Sequence, residues 1–425
     1  MERLIGFAGL ITLLGLCVVF SNKRRRISPR TIIGGFLIQL SFAVILLKWE
    51  AGNLAMQWFS GKVVSFLNLA YYGEKFLFGN IVDPAYFDTF GFQFAFAVLP
   101  IIIFFSTVIA ILYYLGIMQK VVEIFAWVMS RIMNTSGAES LSCSSNIFLG
   151  QTEAPLMIRP FLGALTMSEL CAVMVGGFGT IAGSVMGGYI KMGIPAQHII
   201  IASCMAAPIS LLVAKIIYPE TEHPQTAGNV KIPKVDAGEN VLDAATKGIT
   251  DGLHLALNVA AMLLAFIALI ALIDKMLGIG DRLIDGRLLN GQIMQNGEYS
   301  GFFPGSLKTF FGSLFSPIVY LMGVPSADIK EVAHLLGLKI AANEFVAYSE
   351  LAPLIATGAI SQKAAIMATY MLCGFANFAS IGIQIGGISS LAPERRTDLA
   401  KIALRAMAGG VIVSCINATV VGLLL

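Results

Sequence analysis

The stretch that decides the fold runs from residue 362 to residue 391 and reads QKAAIMATYMLCGFANFASIGIQIGGISSL. It is apolar and longer than the roughly 20 residues that cross a bilayer as a helix. The motif GFANFA at 374–379 interrupts it in the middle, and a second run near 168–190 is interrupted by GFGTIA at 177–182. Because irregular backbone at membrane depth must be buried in protein or line a wet cavity, both runs predict broken transmembrane helices.

The composition of the chain indicates that most of its outer surface faces lipid. Of its 425 residues, 57% are hydrophobic and 12% are charged, and the mean hydropathy is +0.81. A soluble domain carries about 25% charged residues, because its surface must be wetted. Six uninterrupted apolar runs are long enough to span a bilayer, near 2–20, 31–48, 92–117, 197–218, 254–274 and 402–425. Together with the two broken runs they predict an all-α integral membrane protein with eight transmembrane helices.

Clusters of basic residues beside the spans predict the orientation in the membrane. Cytoplasmic loops carry an excess of lysine and arginine, so the basic loop after the first span places the N-terminus outside. Eight crossings then place the C-terminus outside and all three basic clusters inside: Lys23, Arg24, Arg25, Arg26 and Arg30; Lys215, Lys231, Lys234 and Lys247; Arg395, Arg396, Lys401 and Arg405. Segment 51–80 lies outside in this topology, and Trp58, Tyr71 and Tyr72, with Trp49 just before them, favour an interfacial helix. We expect a multi-pass protein of the cell inner (plasma) membrane.

The chain contains an internal repeat. Residues 121–218 and 325–425 each run as an apolar segment of ambiguous length, a broken span and a plain span. The ambiguous segments, 121–165 and 325–356, are too polar to span alone and predict re-entrant hairpins. The predicted topology starts one unit inside and the other outside, so the repeat is inverted. Inverted repeats with paired broken helices point to a transport site near the bilayer midplane.

The predicted spans and the internal repeat divide the chain into four parts. Residues 1–118 hold scaffold spans and the interfacial helix, and residues 119–218 hold the first hairpin, broken helix and span. Residues 219–324 hold a connecting loop, a span and an amphipathic segment. Residues 325–425 hold the second hairpin, the second broken helix and the final span.

Polar residues concentrate at the predicted hairpin turns and in the second break. The first turn reads NIFLGQTEAP at 146–155, and its Glu153 costs several kcal/mol at membrane depth unless it has partners. The alternative is that Glu153 lies at the water boundary or pairs structurally with Arg159. Asn343 and Glu344 occupy the second turn. Since no lysine or arginine occupies either break, the set suits a neutral ligand rich in hydroxyls better than a strong anion.

Asn377 and Ser380 lie in and just after the second break, and two functions are open for them on spacing alone. Amide and hydroxyl side chains often form hydrogen bonds between helices of membrane bundles. Matched placement of the breaks in two halves favours a ligand site instead.

Other functional classes lack support in the sequence. The four histidines are dispersed, and neither an H-E-x-x-H motif nor a phosphate-binding P-loop is present. The six cysteines are scattered through apolar segments without a C-x-x-C pair. The basic residues form short clusters and no continuous face, so nucleic acid is not an expected partner. We therefore expect a protein that is not an enzyme and is embedded in membrane lipid.

Three motifs closely resemble the signature segments of the concentrative nucleoside transporters: GQTEAP at 150–155, NEFVAY at 343–348 and GFANFAS at 374–380. The resemblance extends over nearly the whole chain and implies a bacterial-type, sodium-coupled member with eight spans, an interfacial helix, two hairpins and two broken helices. It implies a homotrimer whose protomers divide into a scaffold part and a mobile transport part. The implied activity is sodium symport of nucleosides such as uridine or adenosine into the cell, by elevator-like alternating access.

The resemblance also implies roles for individual residues. Gln151, Thr152 and Glu153 would face the nucleobase, and Val185 would border it. Glu344, Asn377 and Ser380 would hold the ribose hydroxyls, and Phe375 would pack against the ligand. The sodium site maps to the side chains of Asn146 and Thr180 and to backbone carbonyls near Leu149 and Ile181.

Three alternatives remain open to the sequence. Some relatives couple to protons, although retention of both Asn146 and Thr180 favours sodium. The same architecture would also serve another neutral polar solute, such as a nucleobase. A channel or receptor that uses the hairpins as a gate is the third alternative.

Overall fold

The computed structural model of the chain describes residues 2–91, 93–228 and 238–425. Helices form nearly all regular structure within these ranges, and an isolated bridge between Ile293 and Tyr299 is the β pairing found there. The prediction of an all-α protein is confirmed. Lys231 and Lys234, predicted to lie at the cytoplasmic face, fall outside the described residues.

The N-terminal part supplies three apolar helices, Glu2–Val19, Pro29–Lys48 and Phe94–Tyr114, close to the predicted runs 2–20, 31–48 and 92–117. Ser28 starts the second of them, because its side chain accepts a hydrogen bond from the backbone N–H of Thr31 and a proline follows in the first turn. The α-helices of this part are α1 (Glu2–Val19), α2 (Pro29–Ala43), α3 (Glu50–Leu67), α4 (Ala70–Phe78), α5 (Phe87–Phe90), α6 (Phe94–Ala97) and α7 (Leu99–Tyr114).

The first repeat follows as α8 (Ile117–Met133), α9 (Gly137–Ser145), a 3₁₀ helix (Ala154–Ala164), α10 (Met167–Gly179), α11 (Gly183–Lys191) and α12 (Ala196–Ile217). Capping boxes begin two of these helices: Ser136 with Glu139 at α9, and Thr166 with Glu169 at α10. The chain leaves the helix between Gly179 and Gly183, so the first break lies within the GFGTIA region.

The segment between the repeats differs from its prediction. A single helix, α13 (Val241–Asp281), extends beyond the apolar run 254–274 at both ends. Its start is fixed by Asn240, whose side chain accepts from the backbone N–H of Asp243. Apolar residues mark only the part of a helix that lipid can surround. The predicted run 254–274 therefore left out the polar turns at both ends of α13. A shorter helix, α14 (Leu307–Leu321), follows.

The second repeat comprises α15 (Ile329–Ala341), α16 (Glu344–Thr357), α17 (Gln362–Leu372), α18 (Phe378–Leu391) and α19 (Arg396–Leu424). Asn343, Ser361 and Asn377 cap α16, α17 and α18, each accepting from a backbone N–H three residues on. Seven helices of the described chain are long and apolar enough to span a membrane. The remaining predicted crossing, at 362–391, is divided between α17 and α18, with the break at residues 373–377.

The two repeats pack against each other and form the centre of the molecule. Helix α10 lies against α12 and α19, and α17 lies against α19. In the most apolar 18-residue stretch of Met167–Lys191, 94% is buried inside the protein. In the corresponding stretch of Val241–Leu288, 11% is buried. Helix α13 instead packs along α7, where Gly248 and Gly252 allow close approach. The broken helix is therefore interior, and α13 forms an outer wall with a face free for lipid or another protein.

Candidate functional site

A cavity of about 810 Å³ lies between the two hairpin turns, the second break and α13. Its volume falls in the range of sites that enclose small organic ligands. All eight residues predicted to bind substrate line it: Gln151, Thr152, Glu153, Val185, Glu344, Phe375, Asn377 and Ser380. The structure thus brings the polar residues of both repeats together, although they are far apart in sequence.

Glu344 is buried at the start of α16 and is held from two directions. Its Oε1 accepts a hydrogen bond from the Tyr189 hydroxyl at 2.9 Å, and its Oε2 accepts from Asn377 Nδ2 at 3.5 Å. The Tyr189 ring is fixed in turn by Tyr348, with ring centroids 4.5 Å apart. Tyr189 lies on α11, so a residue of the first repeat orients the carboxylate of the second. Sequence reasoning missed Tyr189.

A chain of hydrogen bonds links the first hairpin turn to α18 and to α10. Gln151 Nε2 donates to Ser380 Oγ at 3.2 Å, and Gln384 Nε2 donates to Gln151 Oε1 at 3.1 Å. Gln384 also donates to the Met174 carbonyl at 3.2 Å, which ties this chain to α10. Gln384 was missed as well. Its position one helical turn after Ser380 was the signal available in the sequence, since residues four apart share a helix face.

The two breaks are hydrogen-bonded to each other through their backbones. Phe375 N–H donates to the Thr180 carbonyl at 3.1 Å, and Gly183 N–H donates to the Phe148 carbonyl at 2.9 Å. Gly374 has φ of +157°, and a β-carbon there would lie 2.9 Å from the Phe178 carbonyl oxygen. The first hairpin turn, the first break and the second break therefore form one continuous backbone network.

Glu153 lines the cavity, and its side chain is exposed to it. The carboxylate folds back over Gly150, where a β-carbon would collide with it. The glycine of the GQTEAP motif thus has a local explanation: it leaves room for the carboxylate three residues later.

Asn146 is the main structural indication of an ion site. Its side chain is 1% exposed, yet neither Oδ1 nor Nδ2 has a hydrogen-bond partner. Thr180 lies nearby, because both side chains approach Gly176. Thr180 Oγ1 donates to the Gly176 carbonyl at 2.8 Å, and a β-carbon on Gly176 would lie 3.2 Å from Asn146 Nδ2. Leaving a buried polar group unsatisfied costs about 1–3 kcal/mol, so a ligand that accepts lone pairs from oxygen fits here. Hard cations such as sodium prefer such side-chain and carbonyl oxygens.

The other two predicted sodium residues, Leu149 and Ile181, lie in non-helical backbone. Leu149 follows Asn146 in the hairpin turn, and Ile181 is inside the first break. Leu149 follows Phe148, and Ile181 lies two residues before Gly183, whose N–H donates to the Phe148 carbonyl. Among the residues that the structure describes, no group of three His, Cys, Asp or Glu side chains is arranged to hold a metal ion.

Helix α13 adds a polar stripe to the cavity that sequence reasoning missed. Asp251, His254 and Asn258 all line it. Their spacing of three and four residues places them on one face of the helix, which was a readable signal. This wall belongs to neither repeat.

Comparison with known proteins identifies the family. Residues 198–422 match the family described as Na+ dependent nucleoside transporter C-terminus, and residues 8–81 match the corresponding N-terminus. The chain belongs to the sodium-dependent nucleoside transporters. Residues 95–196 match a further family described as Gate, nucleoside recognition. Membership confirms the resemblance found in the motifs. The family consists of transporters rather than enzymes, and sodium is its coupling ion.

Individual relatives cover this sodium-dependent nucleoside transporter from end to end. An uncharacterized transporter of Haemophilus influenzae is 41% identical over 430 residues, spanning 100% of this chain and 98% of the relative. Sodium/nucleoside cotransporter 1 of Rattus norvegicus is 41% identical over 439 residues, spanning 100% of this chain and 64% of the rat protein. The structure of CNTnw in an inward-facing substrate-bound state has a TM-score of 0.90 at 38% identity, covering 100% of this chain and 98% of CNTnw.

Proposed function

We propose that the protein imports nucleosides across the cell inner membrane by sodium symport. The observation that supports this most is the convergence of both repeats on one cavity beside the unpartnered amide of Asn146. A single site built from two inverted halves suits alternating access, because it can be opened to either side of the membrane.

The chemistry of the cavity supports a neutral ligand with hydroxyls and a planar polar edge. Glu344 and Asn377 would hold ribose hydroxyls, since a carboxylate accepts two hydrogen bonds and an amide both donates and accepts. Ser380 would join them. No lysine or arginine appears among the described residues that line the cavity. A phosphorylated nucleotide would therefore bring two negative charges with no cation to balance them.

The base would be held by the first hairpin turn. Gln151 and Thr152 offer donors and acceptors where this turn lines the cavity, and Glu153 adds an acceptor. Phe375 and Val185 supply apolar contact with the faces of the ligand. Uridine and adenosine both satisfy this pattern and are the substrates we propose.

Sodium would be held by the side chains of Asn146 and Thr180 and by the carbonyls of Leu149 and Ile181. The backbone bonds from Gly183 to Phe148 and from Phe375 to Thr180 link these residues to the ligand cavity. Ordering one site therefore orders the other, and the coupling is reciprocal by thermodynamic necessity.

The movement that we propose is elevator-like. The repeats 119–218 and 325–425 would move as the transport part, against a scaffold formed by 1–118 and 219–324. Helix α13 supports this division, because it contributes one cavity wall yet packs along α7. Its outer face exposes Leu257, Leu264 and Ile267, which suits lipid or the contacts of a homotrimer. Both termini would lie outside the cell.

Uptake into proteoliposomes tests the proposal. We expect radiolabelled uridine and adenosine to accumulate against a gradient when sodium is supplied outside, and not when choline replaces it. Uptake that ignores sodium and follows a pH gradient would contradict the choice of ion. Folded protein that accumulates neither nucleoside would contradict the choice of substrate.

A further inference from the structure

Lys339 on α15 carries an ammonium group in the interior of the second repeat. Its side chain is 0% exposed. Nζ donates to the Met371 carbonyl at 2.8 Å and to Ser414 Oγ at 2.7 Å. Burying such a charge costs several kcal/mol even after relaxation, and an ion pair is the usual compensation.

A second buried lysine shows that usual arrangement. Lys215 lies 2.7 Å from the carboxylate of Glu139 and 3.2 Å from that of Glu220. Lys339, by contrast, forms no ion pair with any carboxylate that the structure describes. Its ammonium is hydrogen-bonded only to a carbonyl and a hydroxyl, which are both neutral, so its burial needs another explanation.

The partners of Lys339 lie at the second break. Met371 is in the last turn of α17, where the chain leaves the helix before Gly374. The final carbonyls of a helix lack intrahelical partners and carry partial negative charge, which favours a cation. Ser414 connects Lys339 to the backbone of α19, because its hydroxyl accepts from Lys339 and donates to the Val411 carbonyl at 3.0 Å. One ammonium thus joins α15, α17 and α19 around the break that presents Phe375 and Asn377.

The first repeat has a different group at the corresponding place. Asn146 caps the end of α9, the first hairpin helix, and approaches α10 before its break. It is neutral and its amide is unpartnered. Lys339 lies in the last turn of α15, the matching hairpin helix, and bonds to the helix before the second break. One half leaves its oxygens unsatisfied, and the other supplies a cation from its own chain.

We propose that the Lys339 ammonium is a tethered cation at the second break, the fixed counterpart of the exchangeable sodium at the first. It acts as a positioning residue, because it does not line the cavity and works through the backbone that carries Phe375 and Asn377. The inference rests on the proposed function and extends it. It predicts that nucleoside binding needs the positive charge itself, beyond the volume or the hydrogen bonds of the lysine.

Three substitutions separate charge from shape. Lys339→Arg keeps the charge, Lys339→Gln keeps hydrogen-bond donors without charge, and Lys339→Met keeps only an apolar chain. Lys363→Gln is the matched control, because it removes an ammonium from the first turn of α17, at the opposite end of that helix from the break, where Lys363 pairs with Glu2 at 3.0 Å. Uridine dissociation constants are measured by calorimetry in saturating sodium. Folding is checked by size-exclusion profile and by the rise in melting temperature that sodium alone produces, which reports the first break.

We expect Lys339→Gln and Lys339→Met to weaken uridine binding at least about tenfold, as for loss of a charged hydrogen bond, while the sodium-induced rise in melting temperature persists. Lys339→Arg should bind uridine more tightly than Lys339→Gln, and Lys363→Gln should stay within about threefold of the unmodified protein. If Lys339→Gln binds uridine as tightly as Lys339→Arg, or more tightly, the inference is overturned. This comparison remains valid even if Lys339→Met does not fold. Loss of the sodium response in Lys339→Gln would overturn it too. Unmodified protein that binds no nucleoside would overturn the proposed function as well.

Discussion

The two halves of the repeat place a hairpin turn against a broken helix in the same way, but they satisfy their polar groups differently. In the first half, the buried amide of Asn146 has no partner. In the second, Lys339 and Glu344 are bonded to neighbours within the chain. The likeness of the two halves in their order of helices therefore does not extend to their polar groups. In the proposed mechanism, sodium completes the first half and the second half is prepared for the ligand.

The largest effect should come from the second half. We expect Glu344→Gln to weaken uridine binding about a hundredfold, since hydrogen bonds to a charged group contribute about 1.5–3 kcal/mol each. Calorimetry in saturating sodium measures it. Glu350→Gln, on the same helix but outside the cavity, is the control and should change little. Retained uridine affinity in Glu344→Gln would show that this carboxylate does not hold the ribose. The same conclusion would follow if the unmodified protein bound uracil in preference to uridine.

An intermediate effect should come from the first half. Asn146→Ala should weaken uridine binding about tenfold, a typical coupling between two sites, and abolish the rise in melting temperature caused by sodium. Asn417→Ala is the control, because it also removes a buried amide, one whose Oδ1 accepts from Gln39 Nε2 at 2.7 Å and which does not line the cavity. An Asn146→Ala protein whose melting temperature still responds fully to sodium would place the ion elsewhere.

The smallest effect should come from the contact between the halves. Gln384→Met removes the bridge from Gln151 to the Met174 carbonyl, and neutral hydrogen bonds contribute about 0.5–1.5 kcal/mol net. We therefore expect uridine binding to weaken about fivefold, with a smaller change in the sodium concentration needed for half-saturation. Gln362→Met, exposed at the start of α17, serves as control. An effect as large as that of Glu344→Gln would mean that Gln384 contacts the ligand directly.

Local features of the chain were predictable from sequence, and contacts between distant segments were not. The second broken span, predicted at 362–391, corresponds to α17 and α18, because apolar length and an interrupting glycine are local signals. Tyr189 was missed because its partner Glu344 is 155 residues away, and Gln384 because Gln151 is 233 residues away. The span at 254–274 was too short because the polar turns of α13 carry no apolar signal. The roles of the individual cavity residues stay predictions.

The most direct test of this account is the uridine dissociation constant measured by calorimetry in sodium and again in choline at equal ionic strength and pH. The account predicts binding at least about tenfold weaker in choline, since sodium orders the first break and the first break is bonded to the second. The reciprocal measurement should show sodium half-saturation tightened by the same factor when uridine is saturating. Equal uridine affinity in the two salts would contradict the account, because the two halves would then bind their ligands independently.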